Sequence, residues 1–90
     1  MSTTVITGAN RGIGLELARQ CIQRGDNVVA GCRKPDEAQE LKELKPNLIL
    51  PIDVGDENSV LSFSEAIDGH VNLLINNAGT SITNLGFARD

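Results

Sequence analysis

The run Thr7-Gly8-Ala9-Asn10-Arg11-Gly12-Ile13-Gly14 sets three glycines between a β-branched stretch and an apolar pattern of helical period. Residues of this kind at a strand-to-helix turn hold phosphate. The first backbone N–H groups of a helix have no intrahelical partner and carry about half a positive charge, so an anion binds there once the chain comes close enough. A Cβ at the turn blocks that approach, and one at the third glycine holds helix and strand apart. Alone, such a cluster is a weak signal, because other nucleotide folds and ordinary turns also contain it. Cys21 and Cys32, eleven residues apart with no Cys-x-x-Cys spacing and a single histidine in the chain, point to neither a zinc site nor a disulfide framework. They read as buried or half-buried thiols, and His70 as a solvated loop residue without a role.

The elements that must position the loop follow from hydrophobic period. Thr4 to Thr7 reads as a first strand. Ile13, Leu17 and Cys21, with Ala18 and Ile22, share a helical face, and Gly25 stands where a left-handed cap ends the helix. Asn27 to Cys32 is apolar without alternation at Val28, Val29 and Ala30, as in a strand covered on both faces. Pro35, Asp36 and Glu37 open a second helix, with Ala38, Leu41 and Leu44 on its inner face and Lys45-Pro46 closing it. Leu48 to Ile52 is a third strand, placed at a sheet edge by Pro51, whose missing N–H does least harm there. A third helix starts at Gly55 or Asp56, presents Val60, Phe63 and Ile67 on one face and stops by Gly69. Val71 to Asn76 is a fourth strand. Strands alternating with helices predict a Rossmann-type doubly wound α/β sheet of four parallel strands, order 3-2-1-4, with about three helices. Thr80 to Asp90 reads as neither strand nor finished helix, so the expectation is an incomplete domain.

Ninety residues make at most one small domain, which buries only about 60–65% of its unfolded surface. The apolar fraction of 40% is that of a globular chain, and a net charge of −4 with scattered basic residues argues against a nucleic-acid partner. No run of eighteen apolar residues occurs, and Met1-Ser2-Thr3-Thr4 lacks the regions of a signal peptide. The expectation is no membrane partner and a cytoplasmic location.

Three motifs together carry a family resemblance. Thr7 to Gly14 fits Thr-Gly-x-x-x-Gly-x-Gly, Asp53-Val54 follows the third strand, and Asn76-Asn77-Ala78-Gly79 follows the fourth. The chain resembles the N-terminal, cofactor-binding part of a short-chain dehydrogenase/reductase, its Gly-Ala-Asn-Arg-Gly-Ile-Gly wording being closest to carbonyl-reductase-like members. The resemblance implies that Gly8, Asn10, Arg11, Gly12, Ile13 and Gly14 meet a dinucleotide, and that Asn77, Ala78 and Gly79 line it. It also implies that Asp53 and Val54 serve its adenine. By residue type alone Asp53 is a turn residue near a helix start. Asn76 and Asn77 either tie the glycine loop to the fourth strand or face the ribose, since an amide suits both tasks.

Charge after the second strand selects the dinucleotide. A carboxylate there takes free ribose hydroxyls, whereas a 2′-phosphate needs cations. Arg33 offers a planar bidentate grip and Arg11 can reach the same group, so the expected cofactor is NADP(H). Asp36 stands at the offset of an NAD-selecting acid but suits the first turn of a helix. The family implies hydride transfer between NADP(H) and a small-molecule carbonyl or alcohol, by a Tyr-x-x-x-Lys pair and a Ser. This chain has no tyrosine. Ser59, Ser62 and Ser64 are placed on the third helix, away from the carboxyl ends of the strands, so no catalytic residue is assigned. Inactivity by itself, self-association of the isolated chain and a homo-oligomeric full-length form are expected. Two other readings stay open: a stand-alone nucleotide-binding or regulatory module, and a non-functional truncated product. A methyltransferase on a similar fold is disfavoured by the full set of motifs.

Overall fold

The alternation of apolar runs and helical periods resolves, in a computed structural model that describes residues 2–67 and 69–77, into four parallel strands and three α-helices. In chain order these are β1 (Thr3–Thr7), α1 (Gly12–Arg24), β2 (Asn27–Cys32), α2 (Gln39–Leu44), β3 (Leu48–Pro51), α3 (Glu57–Ala66) and β4 (Leu73–Asn76). The sheet runs β3-β2-β1-β4, as the sequence predicts, and Pro51 lies on the edge strand opposite Cys32.

Successive residues of each strand face opposite layers. Ile6, Val28 and Ala30 pack under Ala18, Cys21 and Leu41 on the α1/α2 side. Val5, Val29 and Ile52 pack under Phe63 on the α3 side. Parallel strands buried on both faces read as continuous apolar runs, and Val28, Val29 and Ala30 are all buried. Phe63 reaches the sheet because Gly31 lies beneath it: a Cβ on Gly31 would sit 2.8 Å from the Phe63 ring and 2.9 Å from Ile52.

Side-chain amides set the register at the bottom of the sheet. Asn72 accepts from the Thr3 N–H through Oδ1 (2.9 Å) while its own N–H donates to the Thr3 carbonyl (2.9 Å). Asn47 repeats the arrangement on Val28, at 2.8 and 2.9 Å. Each asparagine carries the parallel ladder one residue further than the strand itself.

Besides one-residue shifts at the start of β1 and the end of β3, the elements differ from their expected form in four places. The second helix is broken: Pro35–Glu37 is a 3-10 turn closed by i to i+3 bonds, and Ala38, at φ −88 and ψ 68, leaves helical geometry before α2 begins. The break seats both Ala38 and Leu41 in the core. Ile13 does not join the inner face of α1, being 72% exposed. The small residues Gly14, Ala18 and Cys21 form that face, and Ile13 lies about 100° around the helix from Gly14. The third helix ends at Ala66, capped by the Ile67 N–H on the Ser64 carbonyl, before Gly69 is reached. β4 begins at Leu73 rather than Val71, where pairing with Thr4 starts.

Candidate functional site

The expected cofactor residues within the described chain lie along one edge of the sheet, beyond the carboxyl ends of the strands. Across that edge the order is Asp53-Val54 after β3, Arg33 after β2, the glycine loop after β1 and Asn77 after β4. Strand order reverses at β1, whose neighbours are β2 on one side and β4 on the other. An open α/β sheet has its ligand crevice at such a reversal.

The glycine loop is clamped from both sides. Ala9, fully buried, donates its N–H to the Gly31 carbonyl at the end of β2 (3.1 Å). On the other side Asn77 Nδ2 donates to the Gly8 carbonyl (3.2 Å). Thr7 joins the two strands: its hydroxyl donates to Asn76 Oδ1 (2.8 Å) and accepts from the Asn77 N–H (3.1 Å). Asn76 and Asn77 thus take the tying role that their amides permit.

Behind the clamp, α1 sits very close to the loop. A Cβ on Gly14 would stand 2.1 Å from the Gly8 carbonyl oxygen and 2.7 Å from Asn77 Nδ2, so the third glycine sets the distance between helix and strand. Gly12 adopts φ +59, a left-handed conformation that side chains disfavour, with open space where a Cβ would point. Arg11 occupies the N-cap position of α1 in extended geometry, and no side chain caps the helix. The amino end of α1 therefore presents its unpaired N–H groups at the crevice. Ile13, outside the core, projects from this same turn.

Three exposed cations stand at this edge, together with the carboxylate of Asp53. Arg11, Arg33 and Lys34 are exposed, and the salt bridges among the described residues engage Arg19 with Glu16 and Arg24 with Asp26 instead. Asp36 lies in the 3-10 turn, in the first-turn position its residue type favours. Burial pushes the Cys32 thiol up, so it stays protonated and inert beside the site. Cys21 is likewise a buried free thiol.

Asp53 behaves as the turn residue its type allows. Its Oδ1 accepts from the Gly55 N–H (3.0 Å) and its carbonyl from the Asp56 N–H (3.0 Å). Ser59 departs from expectation: the amino end of α3 brings it to the carboxyl edge, where its Oγ accepts from the Asp53 N–H (2.8 Å). The sequence signal was its place three residues after the helix-capping Asp56, which accepts from the Asn58 and Ser59 N–H groups. Ala78 and Gly79 lie outside the described residues. On the α3 side an apolar cleft of about 520 Å³ opens between Phe63, Ile67 and Leu74 and reaches Thr7 and Asn76 at the edge.

Such a sheet, with a glycine-rich turn and an uncapped helix at its switch point, is a doubly wound α/β fold of the Rossmann type. Comparison with known proteins narrows the class. The family model for short chain dehydrogenase matches residues 2–89. An uncharacterized oxidoreductase, YusZ, of Bacillus subtilis (strain 168) is 39% identical over 95 residues, covering 96% of this chain and 33% of its own length. A carbonyl reductase from Pseudomonas aeruginosa PAO1 superposes with a TM-score of 0.81 at 31% identity, over 89% of this chain and 38% of that one. A serine dehydrogenase solved in complex with NADP+ gives a TM-score of 0.76 at 32% identity, over 89% and 34%. The chain belongs to the short-chain dehydrogenase family, and it spans about a third of the length of these relatives.

Proposed function

We propose that these ninety residues hold NADP(H) for an oxidoreductase that moves hydride between the nicotinamide and a small carbonyl or alcohol. The observation that carries the reading is the uncapped amino end of α1, set at the switch point by the Ala9–Gly31 and Asn77–Gly8 hydrogen bonds. Those N–H groups, with Gly12 and Gly8 at positive φ, receive the pyrophosphate. Arg33, assisted by Arg11, takes the 2′-phosphate. Asp53 and Val54 meet the adenine, and Ile13 and Asn77, with Ala78 and Gly79, line the remainder. The NADP+ bound in the serine dehydrogenase of similar fold supports the choice of cofactor.

When bound, the cofactor supplies a hydride, and the alkoxide formed from a carbonyl needs an acid. With no tyrosine in the sequence, that acid is not among these residues, so the chain binds without turning over. We assign the reaction to the cytoplasm, a reducing compartment that suits two buried free thiols. No helix among the described residues is long and apolar enough to cross a membrane. Leu73 and Leu74 on β4 are 46% and 48% exposed, which supports self-association of the isolated chain.

Fluorescence titration tests this reading. NADPH is expected to saturate the chain and to bind about ten- to a hundredfold more tightly than NADH, the contribution of a charged hydrogen bond of about 1.5–3 kcal/mol. Arg33→Ala is expected to remove most of that preference, and added carbonyl compounds are expected to remain unreduced. No saturable signal, or equal affinity for the two cofactors, contradicts the assignment.

A further inference from the structure

We infer that Ser59 is a positioning residue for adenine recognition, acting through Asp53; this rests on the cofactor reading above. The last ladder bond beyond β3 is the Ile52 N–H on the Cys32 carbonyl (2.9 Å), so the Asp53 N–H leaves the sheet and needs another partner. Ser59 Oγ supplies it at 2.8 Å. A residue three places into a helix commonly reaches back to the N–H of the capping residue. Here the N–H of the cap, Asp56, is already given to the Asp53 carbonyl (3.0 Å), which releases Ser59 to reach three residues further upstream.

A closed ring of hydrogen bonds results. Asp56 Oδ1 accepts from the Ser59 N–H (3.4 Å), Ser59 Oγ accepts from the Asp53 N–H, and the Asp53 carbonyl accepts from the Asp56 N–H. Within the ring, Asp53 Oδ1 is fixed by the Gly55 N–H (3.0 Å), so the whole residue is held against the first turn of α3. Its exposed carboxylate is thereby aimed as a fixed acceptor at the crevice edge, where adenine offers an exocyclic amine. Ser59 orients that acceptor without touching the cofactor.

The test compares NADPH with its hypoxanthine analogue, in which a keto oxygen replaces the 6-amine. The unsubstituted chain is expected to prefer NADPH about five- to tenfold, in line with one hydrogen bond to a charged acceptor. Ser59→Ala is expected to bring the two within about twofold, matching Asp53→Asn, while Ser59→Thr keeps the preference through its hydroxyl. A purely structural serine lowers both affinities together and leaves their ratio unchanged, and that result overturns the inference. Should the alanine variant not fold, Ser59→Cys, similar in size but a far weaker acceptor, carries the same comparison. Binding of neither nucleotide by the unsubstituted chain overturns the cofactor reading and this inference with it. Binding with an undiminished ratio in the variants overturns this inference alone.

Discussion

At the scale of single residues, the site is a matter of which backbone atoms may come close. Gly14 stands where any side chain collides with the Gly8 carbonyl and with the Asn77 amide that anchors it. Gly14→Ala is expected to cost about 1–3 kcal/mol by overpacking, read as a lower melting temperature, and to weaken NADPH binding more than tenfold because the loop is pushed from α1. A variant that melts and binds like the original contradicts the close approach. The glycine pattern was legible because steric demand leaves few residue types at such a turn. The exposed place of Arg33 was legible from the basic step Arg33-Lys34 after an apolar strand. Ile13 was misread, since periodicity alone cannot tell that Gly14, Ala18 and Cys21, being small, take the face toward the sheet. Ser59 was missed because its contact depends on where α3 begins relative to β3, and a hydroxyl has no pattern of its own.

Elements are held in place at the end of the sheet away from the site. Arg24, in the last turn of α1, pairs with Asp26 (2.5 Å), and Asp26 also accepts from the hydroxyl of buried Thr4 (3.2 Å). Helix, turn and β1 are joined by one carboxylate. The Arg24 guanidinium holds the Asp26 carboxyl below the usual carboxylate range, helped by the Thr4 hydroxyl. A depressed folded value stabilises above the unfolded value of about 4, and that stabilisation disappears as pH falls through the folded value. Melting temperature is therefore expected to drop as pH falls below about 4. Asp26→Asn is expected to lower it at neutral pH and to flatten the acid slope, though not fully, because Arg19 holds Glu16 down in the same way. Equal slopes for the two proteins contradict the linkage. Strand and helix identities were legible from period, whereas the break at Ala38 was not. The inner-face spacing of Ala38, Leu41 and Leu44 is the same for one helix as for a 3-10 turn followed by another.

For the whole molecule, the strand order follows from alternation of strand and helix, with Pro51 identifying one outer strand. The other outer strand, β4, pairs among the described residues with β1 alone and leaves Leu73 and Leu74 half exposed, while relatives about three times as long share the arrangement described here. What we propose for this third of such a length is a row of phosphate-binding, adenine-binding and loop-tying groups along one edge, of which the loop-tying hydrogen bonds are seen directly. The most direct test of that claim is the response of each backbone amide to NADPH, followed by nitrogen-15 NMR of the ninety-residue chain. The largest shifts are expected at Gly12, Ile13 and Gly14, with Arg33 following. Saturation with those four amides unmoved contradicts the claim that the amino end of α1 receives the pyrophosphate.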